Sequence, residues 1–264
     1  MHHSNRFVTL VSIAAILVTA VGFLGSASGQ VLESSEFPSE LDSEFYFTRL
    51  AYVNAYGYGG RGRRGRGSWL TDWPDAETHL LKGLSRLTHI DTGGEGRAVG
   101  LADDSLMDYP WLYAVEVGHW QLSELEAARL REYLLRGGFL MVDDFWGTYQ
   151  WAVFLESMRR VFPGRPIVEL GEDDPLLHVL YDLDQRIQIP GRSYFRTGVT
   201  WQQDGYTPHW RGIYDDDDRL MVAINFNMDM GDAWEHADDP WYPEPMTTLA
   251  YRFAVNYVIY SMTH

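Results

Sequence analysis

The sequence predicts an α/β fold built on a mostly parallel sheet, with a C-terminal β-hairpin and a closing helix. Two runs, WLYAVEV (Trp111–Val117) and FLMVDD (Phe139–Asp144), are apolar without alternation, the pattern of strands covered on both faces. Helix signals fall between the strand candidates on short connections, the order that winds a parallel sheet. The 264 residues are 45% hydrophobic and 14% aromatic, enough for the core of one domain of ordinary size.

The elements follow in chain order. In residues 1–29 the only charge is Arg6, ahead of the apolar run Phe7–Leu24 and the small residues Gly25-Ser26-Ala27-Ser28-Gly29. That order describes a secretory signal cleaved after Ala27 or Gly29. An uncleaved membrane anchor is the alternative, because about 18 apolar residues just span a bilayer. Either one puts the folded part outside the cytoplasm, secreted or periplasmic, or tethered to the membrane through residues 7–24. Residues 30–43, QVLESSEFPSELDS, have no periodicity and are expected to be a flexible acidic tether.

Glu44–Val53 is a strand by its aromatic and β-branched content. A helix is predicted over Thr71–Thr88, with Asp72 as cap, Pro74 in the first turn, and Ala76, Leu80, Leu84 and Leu87 on one face. Arg97–Leu101 is a short strand. Ser123 and Glu126 form a capping box for a helix that runs to about Arg136 and stops at Gly137-Gly138. Thr148–Phe162 is the next helix, ended by Pro163, and Ile167–Leu170 the next strand. His209–Phe226 contains two strands joined by an acidic turn at Asp215–Asp218. Met246–Met262 is expected to be an amphipathic helix, with Leu249, Phe253, Asn256, Tyr257 and Tyr260 at helical spacing. With no internal repeat and no linker, residues 44–264 are expected to be a single α/β domain.

The formal net charge of -16 argues against nucleic acid and anionic lipid as partners. Yet YGYGGRGRRGRGSW (Tyr56–Trp69) carries Arg61, Arg63, Arg64 and Arg66, and a G-x-G-x-x-G at Gly60, Gly62 and Gly65. A dinucleotide fingerprint must leave its strand tightly and open a helix. Here the strand ends near Val53 and the helix starts near Asp72, so the match is accidental. The stretch is expected to be either a basic flap on the rim of the site or a disordered loop.

Open α/β sheets bind ligands beyond the carboxyl ends of their strands. Asp143 and Asp144 stand at such an end, followed by Trp146, a stacking face, and Gly147. The two aspartates are the catalytic candidates, together with His119, which follows another strand with Glu116; Trp146 and Gly147 are candidate ligand-binding residues. Their structural alternative is a helix cap and a partner for an arginine. Arg49 and Tyr52 end the first strand and are candidate ligand-binding residues, with pairing to a buried acid as the competing role for Arg49. Asn225, Asn227, Asp229, Asp232, Glu235 and His236 follow a late strand, and Asn227 and Asp232 join the ligand-binding set. Spacings of three bring Asp229, Asp232 and Glu235 together only on a helix, where they could offer oxygens to a divalent cation. No EF-hand loop, H-E-x-x-H or G-x-S-x-G occurs, no cofactor is implied, and the metal is left unassigned.

The segments FYFTRLAY, WPDAETHLLKGLSRLT, PWLYAVEVGHWQLSELEAARLREYLLRGGFLMVDDFWG, HWRGIYDDDDRLMVAINFNMDMGDAW and VNYVIY resemble the bacterial domain-of-unknown-function family 4159, over nearly all of Glu44–His264. The resemblance implies a three-layer, flavodoxin-like architecture of the class I glutamine amidotransferase-like kind, and no established activity. In those enzymes a nucleophilic Cys sits at the strand-to-helix elbow, a position that falls here on Asp143 or Asp144. The chain has no cysteine, so amidotransferase chemistry is excluded. What remains is an exported module that binds a small polar ligand, carbohydrate being favoured, or a protein partner. An aspartate-dependent hydrolase, metal-assisted or not, and a structural subunit of a cell-envelope assembly are the alternatives.

Overall fold

The computed structural model describes residues 42–55 and 67–264. The predicted signal or anchor, the tether up to residue 41 and the arginines of the Gly/Arg stretch lie outside the described residues. Seven strands form one sheet: β1 (Thr48–Ala51), β2 (Arg97–Gly100), β3 (Trp111–Val115), β4 (Phe139–Phe145), β5 (Val168–Glu169), β6 (His209–Tyr214) and β7 (Leu220–Phe226). Their order is β2-β1-β3-β4-β7-β6-β5. The first five in that order are parallel, and β6 and β5 complete the edge antiparallel. Renumbered along the chain, the parallel strands run 2-1-3-4-5, a doubly wound order whose switch point lies between β1 and β3.

Among the described residues the α-helices are α1 (Asp75–Leu87), α2 (Glu124–Leu135), α3 (Gly147–Val161), α4 (Tyr194–Thr197), α5 (Met230–Glu235) and α6 (Glu244–Thr263). Successive strand residues face opposite sides of the sheet, and the core divides accordingly. Trp111, Tyr113, Phe139 and Met141 join one cluster with α1, α5 and α6. Leu112, Ala114, Leu140 and Val142 join a second with α2 and α3. The fold is therefore three layers, α/β/α. Every residue of β3, β4 and β7 is buried, which is why these stretches carry no polar alternation.

The capping box forms in both directions: Glu126 N–H donates to Ser123 Oγ at 3.3 Å, and Ser123 N–H to Glu126 Oε2 at 2.7 Å. Gly137, with φ 109°, ends the helix in a conformation that favours glycine. Four local expectations are corrected. β1 is only four residues long, since Phe45 meets Thr92 in an isolated bridge and Asn54 turns away to pair with Trp120. β5 is a two-residue exposed edge. Asp72 does not cap α1, which begins at Asp75 after a cis Trp73–Pro74 peptide; its backbone turns left-handed at φ 64° instead. Finally, α6 is not amphipathic. Phe253 through Val258 are all buried, more than one apolar stripe can present. Its Asn256 accepts from Leu180 N–H and Tyr181 N–H and donates to the carbonyls of Leu176 and Tyr181, so the polar side chain is fully bonded. Among the described residues no helix is long and apolar enough to cross a membrane.

Candidate functional site

The parallel strands end on one edge of the sheet, and acidic residues gather there. Asp72 lies in the connection from β1 to α1, Glu116 directly after β3, Asp143 and Asp144 in β4, and Asp229 and Asp232 after β7. Asp72, Glu116, Asp144 and Asn227 all have left-handed backbones, with φ between 49° and 64°. For a residue with a Cβ that conformation costs about 1–2 kcal/mol, so four at one sheet edge mark a geometry held against the local preference of the chain.

Asp143 is fully buried. Its Oδ2 accepts from Met230 N–H (2.8 Å), Gly231 N–H (3.0 Å) and the Tyr113 hydroxyl (3.1 Å), fastening the first turn of α5 to the sheet. Its Oδ1 has no hydrogen-bond partner. Burial outweighs those donors and pushes the carboxyl up to about 7. At Asp144 the strand is irregular, with φ 49° and a shift of the β4–β7 register between Val142 and Phe145. Asp144 Oδ1 accepts from Trp146 Nε1 at 2.7 Å. Burial, then repulsion from Glu116 and Asp232, holds Asp144 well above the usual carboxylate range.

Trp146 is therefore not an exposed stacking face. It is 2% exposed, and its indole serves Asp144. His119 is also buried, with Nε2 3.1 Å from Glu116 Oε2 and 3.2 Å from Gln150 Nε2. Gln150 in turn accepts from Trp146 N–H. The chain Glu116–His119–Gln150–Trp146–Asp144 thus joins the exits of β3 and β4 in one polar network.

The helix that the Asp229, Asp232 and Glu235 spacing required is α5, with Asp229 as its N-cap, accepting from Asp232 N–H at 2.7 Å. One carboxylate oxygen from each of Asp72, Asp229 and Asp232 lies within 4.8 Å of the others, and Asp232, Glu235 and His236 make a second such group. Burial, then repulsion from Asp232 and Asp144, raises Asp72 well above its ordinary value; burial, then Asp144 and Asp232, does the same for Asp229. Burial and then Asp232 raise Glu235. Two glycines leave room for these groups. A Cβ on Gly231 would collide with Asp72 Oδ2, and one on Gly191 would stand 2.7 Å from Asp229 Oδ2 and 3.2 Å from Asp232 Oδ2.

Arg49 is fully buried and bonds Glu77 and the carbonyls of Trp69 and Thr71, with the Tyr113 ring 5.3 Å from its guanidinium carbon. Its acidic partner is thus a glutamate of α1. Tyr52 donates toward the carbonyls of Val115 (2.7 Å) and Glu116 (2.9 Å), bracing the left-handed turn after β3. Gly147, at φ 72°, donates its N–H to Asn227 Oδ1 at 2.8 Å, and Asn227 Nδ2 donates to the Thr207 carbonyl. These two hold the ends of β4 and β7 together. Asn225 lies apart, buried in β7 and accepting from the Tyr257 hydroxyl.

Sequence reasoning missed Asp72, which looked like a helix cap, and Tyr113, which looked like plain strand core. It also missed the loop Thr200–Tyr206, where Gln188 binds both Thr200 and the Gly205 carbonyl and so lays the loop against Asn227. That loop carries the exposed rings of Trp201 and Tyr206, 5.6 Å apart. Two open clefts, one beside Trp241 and one between Val53 and Arg160, are lined by none of the clustered carboxylates.

A family model described as Domain of unknown function (DUF4159) matches residues 49–262, and the chain belongs to that family. No curated protein matches it.

Proposed function

We propose that this member of the DUF4159 family is an exported binding module that takes a small polar ligand, of the carbohydrate class, over the strand-end crevice. The observation that carries the proposal is the set of buried carboxyls, Asp72, Asp143, Asp144 and Asp229, at the ends of three parallel strands, all raised by burial and Asp72, Asp144 and Asp229 also by repulsion from neighbouring acids. A fold does not need this arrangement, since buried like charges work against stability. Carboxyls held near neutrality donate as well as accept, which suits hydroxyl groups, and the partly exposed Glu116, Glu235 and His236 give access from the rim. The Trp201 and Tyr206 rings on the neighbouring loop offer apolar faces for sugar CH groups. The composition of residues 1–29 supports export.

Thermal shift and calorimetry of the full chain against a panel of neutral and amino sugars test this. A saturable ligand is expected, with Asp144→Asn and Asp232→Asn each weakening it at least tenfold. Absence of any binder, combined with a stable protein partner in the membrane fraction, would replace this reading with that of an envelope scaffold.

One feature favours a second reading, an aspartate-dependent hydrolase. Asp144 sits at φ 49° just ahead of α3, the strand-to-helix position at which nucleophiles are presented, with its carboxyl raised. Turnover of a chromogenic glycoside or ester that disappears in Asp144→Asn, with the melting temperature intact, would establish it.

A further inference from the structure

We infer that Asp72, Asp229 and Asp232 form a binding site for one hard divalent cation, of the Mg²⁺, Ca²⁺ or Mn²⁺ class. The three residues come from two parts of the chain: Asp72 from the turn before α1, and Asp229 and Asp232 from the N-cap and first turn of α5. An oxygen from each lies within 4.8 Å of the other two, the separation of donors around a common ion. The second observation is independent of the clustering. Asp72 Oδ2 is buried with no hydrogen-bond partner, in a residue only 9% exposed. A buried carboxylate oxygen left without a donor costs about 1–3 kcal/mol, a cost that a cation at this point removes.

The surroundings select the ligand. Asp229 spends Oδ1 on Asp232 N–H, and Asp232 spends Oδ2 on Arg192 N–H, so backbone donors fix the orientation of both carboxylates. Hydrogen bonds of this kind aim the remaining oxygens. The donors are all carboxylate oxygens and the chain has no thiol, which favours hard cations over soft ones. Gly191 and Gly231 stand where any side chain would press on Asp229, Asp232 or Asp72, keeping the space at the ion position open. The inference takes from the preceding section only that the crevice is a binding site, and it concerns a different ligand.

The test uses the full chain, stripped with chelator and titrated with Mg²⁺, Ca²⁺ and Mn²⁺ separately at neutral pH, with no organic ligand present. One of the three should bind at a 1:1 ratio and raise the melting temperature. Asp72→Asn and Gly191→Ala should each weaken it at least tenfold, while Asp216→Asn in the exposed acidic turn leaves it unchanged. Tb³⁺ emission sensitised by Tyr113 and Trp234 in the unmodified chain, displaced by the same cation, reads the site without any variant. Absence of both heat and sensitised emission overturns the inference, and so does binding that Asp216→Asn weakens as much as Asp72→Asn. A chain that binds cation but no sugar, with or without it, removes the carbohydrate reading alone.

Discussion

Asp143 shows how one buried side chain makes stability depend on pH. Its folded-state carboxyl is pushed up to about 7, whereas an unfolded aspartate titrates near 3.8. The folded protein therefore holds the proton more tightly, and this contribution is complete below about pH 4 and lost as pH rises through about 7. Asparagine mimics the neutral form and can still accept from Met230, Gly231 and Tyr113. In chelator-treated protein, Asp143→Asn should match the parent at pH 4 and melt progressively higher than it toward pH 8. An offset that does not change with pH would refute this account. Arg49 and Glu77 test a different balance. Both are almost fully buried, and burial raises Glu77 even against the attraction of Arg49. Arg49→Met strands the glutamate and should cost about 3–5 kcal/mol in urea unfolding. Adding Glu77→Met should recover most of that loss, because the penalty is an unpaired buried charge and not the lost attraction.

At the scale of elements, α6 is held by a polar residue in an apolar setting. Asn256 binds four backbone groups of residues 176–181, the segment that leaves a 3-10 turn at Pro175–His178. Asn256→Leu fits the apolar character of the helix yet orphans all four, and should cost about 3 kcal/mol or more. Limited proteolysis should then cut first within residues 176–186. The elements were legible wherever one principle governed them. Unbroken apolar runs gave β3 and β4, and the Ser123–Glu126 pair gave the start of α2. The ends of β1 and the face of α6 were not legible, because tertiary pairing decides them: Asn54 is drawn to Trp120, and α6 is enclosed along both sides of its stripe. Of the site, Asp143, Asp144, Asp229 and Asp232 could be read as strand-end acids. Asp72 could not, since its role depends on a left-handed backbone that the D-W-P sequence disguises as a helix start. Trp146 misled for a related reason. An aromatic beside a carboxylate looks like a platform, but here the indole is the donor that steadies Asp144.

The described domain gathers its buried acids at the carboxyl ends of its parallel strands. The exits of β1, β3, β4 and β7 converge on one edge, and the carboxyls they carry come from residues 72, 116, 143, 144, 229 and 232, so no short segment contains the site. The two halves of that assembly meet along the seam between β4 and β7. Leu220 follows Phe145 by 75 residues, and throughout that interval of synthesis β4 has β3 on one side and nothing on the other. Its seven residues, all destined for the interior, form an open hydrogen-bonding edge of the kind that recruits other chains. A polypeptide released before Leu220 has been made is thus an aggregation nucleus, and the late arrival of β7 sets the moment at which the nascent protein becomes safe from its own copies.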